Sequence, residues 1–248
     1  MAENKELVEK KSSFSEVLST SLADVREGLP ADLNITRFVQ NGLALLNGNE
    51  ALQKYAQQYG TGQIKAGLMR AAFLGLDALS SECHLVPYGS ALNFSIDYRG
   101  DMKLIKKYST RSVLDVYAKL VRQGDDFRIY VKDGRQTFDF EPKPFNDGAI
   151  IGAFAVIIYK DGGFDIEEMS VKELEKVRSK SKMPNGMPWR DFTGEMYKKT
   201  VIHRIKKKVT IEFENPIQKE YWEKEMKINT GREKVDVPDI DDEIVIEN

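Results

Sequence analysis

Two periodicities divide the chain. In "TGQIKAGLMRAAFLGLDALS", Ile64, Leu68, Ala71 and Ala72 recur at helical spacing, and the interspersed glycines allow close packing. Upstream, "ADLNITRFVQNGLALLNGN" and "EALQKYAQQYG" read as helices broken at Asn47-Gly48-Asn49. The middle of the chain alternates instead. Phe94, Ile96 and Tyr98 fall on one side of a strand and Ser95 and Asp97 on the other. Residues 113–121, 127–131, 138–140, 150–160 and 164–168 are further strand candidates, separated by "QGDD", "KDGRQ" and "DGG". Short strands joined by Asp-Gly turns are hairpins. The helical connectors of a parallel sheet are missing, so the sheet is expected to be antiparallel. Helices return with the capping box Ser170/Glu173, the loop "KMPNGMPW" and a long helix over 193–209. The pattern predicts an α+β fold: a small antiparallel sheet of hairpins packed with helices.

Three segments follow from this reading. Residues 1–30 are a polar arm or short helix, and 31–210 are the core. Residues 211–248 are an acidic segment, disordered or used for docking after an amphipathic piece near Tyr221-Trp222. The most apolar run, "AIIGAFAVIIY", is too short for a bilayer, and the mixed-sign N-terminus is unlike a signal peptide. The single cysteine, Cys83, suits a reducing compartment. An intracellular location is expected by default.

Charge adds what hydropathy cannot. The net charge of −2 over 248 residues conceals a segregated layout. Residues 98–122 hold seven Lys/Arg against two Asp/Glu, 176–208 hold eleven against two, and 212–248 hold twelve acidic against five basic. At 100° per residue, Met102, Leu104, Ile105 and Tyr108 share one helical arc and Lys103, Lys106 and Lys107 the opposite one. In the later helix, Tyr197, Val201, Ile202, Ile205 and Val209 oppose Lys199, His203, Lys206 and Lys207, with Arg204 at the edge. Like charges at this spacing destabilise a helix by a few tenths of a kcal/mol per pair, so a compensating anion is expected. A phosphate backbone is the natural one. Tyr98, Phe145, Trp189 and Tyr197 are aromatic residues near these faces that could stack bases.

Other chemistries find less support. There is no P-loop, no dinucleotide fingerprint and no zincin motif. His84 and His203 lack metal-ligand spacing to each other or to Cys83, so no metal site and no cofactor is expected. Asp97, Asp101, Glu167 and Glu168 could in principle hold Mg²⁺ for a nuclease, but their spacing does not converge them. A passive single-strand-binding protein is the other alternative. A non-enzymatic DNA-binding role is the expectation.

Five stretches, in order, resemble the RecT family of phage-derived single-strand annealing proteins. These are "GLMRAAFLGLD", "LVPYGSALNFSIDYRGDMKLIKK", "GAFAVIIYKDGGFDIEEMS" and, within "PWRDFTGEMYKKTVIHRIKKKV", the tryptophan and the "EM..KT..R...K" helix. The resemblance runs from about Leu29 to Val209. It implies ATP-independent binding of single-stranded DNA and annealing of complementary strands during recombination. It further implies a basic groove and assembly as a ring or helical filament. The implied partners are a phage exonuclease and a host single-strand-binding protein, in the cytoplasm of a bacterial host. By position, Tyr98 and Arg99 match the family's "YRG", and Lys198, Lys199, Thr200 and Arg204 match its "KKT…R" helix. The candidate DNA contacts are therefore Tyr98, Arg99, Lys103, Lys106, Lys107, Arg111, Lys180, Lys182, Lys198, Lys199, Thr200, His203, Arg204, Lys206 and Lys207. Trp189 and Tyr197 are the candidate base-stacking residues. Arg99 and the three lysines after it are expected to form one wall of the groove, and Lys199, Arg204, Lys206 and Lys207 the other.

Overall fold

Phe154, on the middle strand of a three-stranded sheet, is buried beneath a hairpin of aromatic residues, while its neighbours Ala153 and Ala155 face helices. The computed structural model describes residues 13–181 and 183–228. The first part of the chain is helical: α1 (Phe14–Asp24), α2 (Ile35–Gly48), α3 (Glu50–Tyr59) and α4 (Gly62–Leu74). They pack with the hairpin β1 (Cys83–Tyr88) and β2 (Ala91–Ile96) around Leu18, Leu22, Leu52, Ile64, Leu68 and Leu74. Asn34 and Asn49 cap α2 and α3 by accepting from the backbone N–H of Arg37 and Leu52. A Cβ on Gly67 of α4 would lie 2.3 Å from Leu85 Cδ2, so this glycine permits the helix to approach β1.

After α5 (Tyr98–Tyr108) come β3 (Val113–Arg122), β4 (Asp126–Lys132), β5 (Arg135–Glu141), β6 (Ile150–Tyr159) and β7 (Phe164–Ser170). Every pairing is antiparallel, as the connector lengths predict. The single expected sheet is instead three ladders: β1-β2, β3-β6-β7 and β4-β5. The reason lies in the central strand. Ala153, Ala155, Ile157 and Tyr159 of β6 face one way and pack with α5, α6 (Val171–Ser179), α7 (Met187–Asp191) and α8 (Thr193–Ile205). Phe154 and Val156 face the other way and are covered by Phe127, Ile129, Phe138 and Phe140 of β4-β5, with the Phe127 and Phe154 rings stacked at 4.8 Å. A strand apolar on both faces needs two covers, and the hairpin folds over as the second. The turn of that hairpin is Asp133-Gly134, both at positive φ (50° and 74°), as a two-residue turn of this kind requires.

The α5 helix serves both cores. Leu104 and Tyr108 belong to the helical core, and Ile105 to the core beneath the sheet. The helix starts at Tyr98, which the alternation had placed in a strand, because Asp97 caps it by accepting from the Arg99 N–H. Tyr98 is thus the first helical residue rather than the end of a strand. Gly100 lies inside the first helical turn, where a Cβ would stand 2.2 Å from the Glu82 carbonyl oxygen.

Two segments expected to be peripheral are built into the core. Leu18 and Leu22 of α1 are fully buried. After a 3-10 turn over Lys206–Lys208, α9 (Pro216–Ile228) returns to α4. Gln218 Nε2 donates to the Phe73 carbonyl (2.8 Å), Asn215 Nδ2 to the Gly28 carbonyl (2.5 Å), and Trp222 is buried in the helical core. A division at residue 210 therefore does not coincide with a packing boundary. The acidic stretch beyond residue 228 lies outside the described residues.

Candidate nucleic-acid interface

The lysine face of α5 forms as the helical wheel predicts, and each lysine has a carboxylate from a distant element. Lys103 pairs with Glu82 (2.7 Å), Lys106 with Asp115 (2.8 Å) and Lys107 with Asp32 (2.5 Å). Lys103 and Lys106 keep 41% and 44% of their side-chain surface in solvent. Exposed pairs of this kind contribute about 0–1 kcal/mol each, so a phosphate could replace the carboxylate at little cost. Arg99 is exposed, with its guanidinium 5.7 Å from the Tyr98 ring centroid.

The second wall is different. Asp97, which caps α5, and Asp101, one turn further on, face the basic row of α8. Lys199 Nζ donates to Asp97 Oδ2 (2.8 Å), and His84 Nε2 is 3.3 Å from the same oxygen. Lys206 Nζ donates to Asp101 Oδ1 (2.8 Å), and His203 Nδ1 lies against Asp101 Oδ2. The Lys206 and Asp101 side chains are both 0% exposed, and the Lys206 ammonium is 4.8 Å from the Trp222 ring centroid. Burial would raise the carboxyls of Asp97 and Asp101. The opposing contacts outweigh it and hold both below the usual range: His84 and Lys199 at Asp97, Lys206 and His203 at Asp101. The seam between α5 and α8 is therefore closed by ion pairs, where two walls of an open groove were expected.

Several candidates are corrected by this geometry. Lys206 cannot touch a phosphate, because it is buried. Lys199 and His203 are turned into the seam. Arg204 is held by Glu167 (2.6 Å) and Glu173 (3.2 Å) on the opposite flank, where Lys208 also reaches Glu167 (2.7 Å). Lys208 Nζ donates to the Ile166 carbonyl as well (2.6 Å). Trp189 (6% exposed) and Tyr197 (4%) are core residues; the Tyr197 hydroxyl donates to Glu175, and burial with that carboxylate pushes its pKa up to about 12. Neither ring offers a face for stacking. The Thr200 hydroxyl donates to the Met196 carbonyl (2.8 Å), and Lys198 pairs with Glu195 (2.5 Å). Arg111 grips Asp161 through two hydrogen bonds (2.6 and 2.7 Å) and lies 3.8 Å from the Tyr159 ring centroid. Lys180 and Lys207 are exposed and have no carboxylate partner among the described residues. Lys182 lies outside the described residues. Phe145, by contrast, is fully exposed, at φ 53°.

The anion that the lysine spacing calls for is thus largely internal. Asp97, Asp101 and Glu167, weighed as metal ligands, are engaged by lysine, histidine and arginine. Among the described residues no group of three or more His, Cys, Asp or Glu side chains is placed to hold a metal ion, and no helix is long and apolar enough to cross a membrane.

The model of the RecT family matches residues 36–239, a span that contains β1 to β7, α5 and α8. The chain belongs to the RecT family. It is 31% identical over 159 residues to Protein RecT of Escherichia coli (strain K12), an alignment covering 60% of this chain and 58% of that protein. The chain thus spans under two thirds of the length of this curated relative. For this RecT-family chain, sequence reasoning placed the basic helices correctly. It missed their carboxylate partners, which come from residues up to 105 positions away. It also passed over Lys172 and Lys176 of α6, which are exposed in line with the named candidate Lys180 at the end of that helix.

Proposed function

We propose that this protein binds single-stranded DNA through its phosphates and anneals complementary strands without ATP, as part of DNA recombination. The observation that carries this reading is the family match across residues 36–239, which takes in both basic helices. The α5 face supports it physically. Lys103, Lys106 and Lys107 are solvent-facing and bound to carboxylates by exchangeable surface pairs, so an incoming phosphate displaces an acid rather than breaking the fold. A grip on the backbone alone leaves base edges free for a second strand and is indifferent to sequence. Arg99 and Lys207, both exposed, extend the same role, and the buried Lys206 holds α8 against α5. Copies of the chain associate so that the basic surface continues from one to the next. An exonuclease that exposes the single strand and a host single-strand-binding protein are the expected partners, in a bacterial cytoplasm. The acidic stretch at 229–248 is a docking segment for such partners.

The deciding experiment follows the annealing of complementary labelled oligonucleotides by fluorescence transfer, without ATP, with and without Mg²⁺. Acceleration over the spontaneous rate is expected. Slower annealing would make the protein a passive single-strand binder, and shortened DNA appearing only with Mg²⁺ would make it a nuclease.

A further inference from the structure

Lys172, Lys176 and Lys180, along α6 and its C-cap, form a further basic row, and among the described residues no carboxylate pairs with them. At 100° per residue, Lys172, Lys176 and Lys180 fall within one arc, with Ser179 beside them and the buried Leu174 on the far side. All three are exposed, and no carboxylate pairs with them among the described residues. The two acids of the helix are committed elsewhere. Glu173 closes the capping box with Ser170 and accepts from Arg204 (3.2 Å); Glu175 accepts from the Tyr197 hydroxyl and from Arg178 (3.4 Å). Three like charges at i, i+4 spacing oppose the helix by a few tenths of a kcal/mol per pair. On α5 carboxylates pair with the lysines; on α6 none does among the described residues.

We propose that the outer face of α6 is a second phosphate-binding track for single-stranded DNA, with Lys172, Lys176 and Lys180 each meeting one backbone phosphate. The inference rests on the annealing reading above and adds a surface to it. Successive lysines stand one helical turn apart, about 6 Å along the axis, which suits neighbouring phosphates of a stretched strand. The track begins where Arg204 ties α6 to the end of α8, close in sequence to the exposed Lys207. Val177 on the flank of α6, with Met183 and Met187 in the following segment, leaves apolar surface exposed beside the lysines. A cationic row next to apolar surface suits a single strand, whose base faces are open, better than a duplex.

The test compares the full-length protein with the Lys172→Ala/Lys176→Ala/Lys180→Ala variant and its all-Arg counterpart. Binding to a fluorescein-labelled thymidine oligonucleotide is read by anisotropy over a range of salt. Alanine favours helix, so the fold should hold, and a thermal melt checks it. The Ala variant should bind at least tenfold more weakly at low salt, with the log–log salt slope reduced by about 2 for three lost contacts. The Arg variant should stay within a fewfold of the unmodified protein. Unchanged affinity and slope in the Ala variant, or equal loss in the Arg variant, overturns the track and leaves the annealing reading standing. Loss of binding to anionic phospholipid vesicles with DNA binding intact also overturns it. Absence of salt-dependent binding in the unmodified protein removes the annealing reading itself.

Discussion

The Lys206 ammonium donates to Asp101 Oδ1 at 2.8 Å, across 105 residues of chain, with neither side chain reaching solvent. It is the most enclosed cation of the lysine-rich tract and the one least able to meet DNA. It fastens the end of α8 to α5, while the Trp222 ring covers the ammonium from the helical core. A buried ion pair of this kind is costly to break from one side.

Lys206→Met should therefore destabilise the fold by about 3–5 kcal/mol, because Asp101 is left buried with only His203 beside it. Pairing it with Asp101→Leu should recover much of that loss. Urea unfolding of the single and double variants measures both effects. Equal stability of Lys206→Met and the unmodified protein would show that the pair holds nothing together.

Acid should act through the same seam. The folded pKa values of Asp97 and Asp101 lie below the ordinary value, so the ionised carboxylates stabilise the fold above about pH 4, the unfolded range. That contribution is lost progressively as the pH falls below about 4 toward the folded values. The urea midpoint should drop steeply between about pH 4 and 3, and less steeply in Asp97→Asn, which starts out less stable. A midpoint independent of pH across that interval would refute the linkage.

Gly100→Ala tests why α5 begins with "YRG". Alanine favours helix by about 1 kcal/mol, yet its Cβ would meet the Glu82 carbonyl oxygen at 2.2 Å and Ile96 Cγ2 at 2.9 Å. Overpacking should prevail, with a net loss of about 2–3 kcal/mol seen as a lowered melting temperature. A stabilised variant would mean that the turn before β1 yields freely.

Tyr197→Phe tests the structural role of the Tyr197 hydroxyl. It removes the hydroxyl bonded to Glu175 and should reduce stability by about 1 kcal/mol while leaving oligonucleotide affinity within error. Weaker binding with unchanged stability would make the hydroxyl a DNA contact instead.

The legible parts of this fold are those set by neighbours in sequence. Period-two alternation marked β2, β-branched and aromatic residues marked β3, Asp-Gly marked the β4-β5 turn, and the Ser170/Glu173 box marked the start of α6. The family signature was equally legible, because it is a local pattern repeated in order. Pairing across the fold was not. Nothing near Lys107 in sequence announces Asp32, and nothing near Lys206 announces Asp101 as its buried partner, so a helix face rich in lysine reads the same whether its counter-charges are internal or external. Trp189 and Tyr197 were misjudged for a similar reason: an aromatic beside lysines in sequence can still point inward, as both do here. Lys172 and Lys176 were passed over in the opposite sense, since Glu173 and Glu175 sit among them in sequence but are bonded to Ser170, Arg204, Tyr197 and Arg178 instead.

The return of α9 sets an order of assembly during synthesis. The core of the helical part includes Trp222, and the Phe73 carbonyl is satisfied by Gln218, so the packing of α1 to α4 is completed only when the chain has grown past residue 222. The strands β3, β6 and β7 and the helices α6 and α8 are all complete by residue 205 and need none of it to form their ladder. The part made first is thus finished last, and a chain ending before Trp222 would lack the residue that covers this side of its helical core.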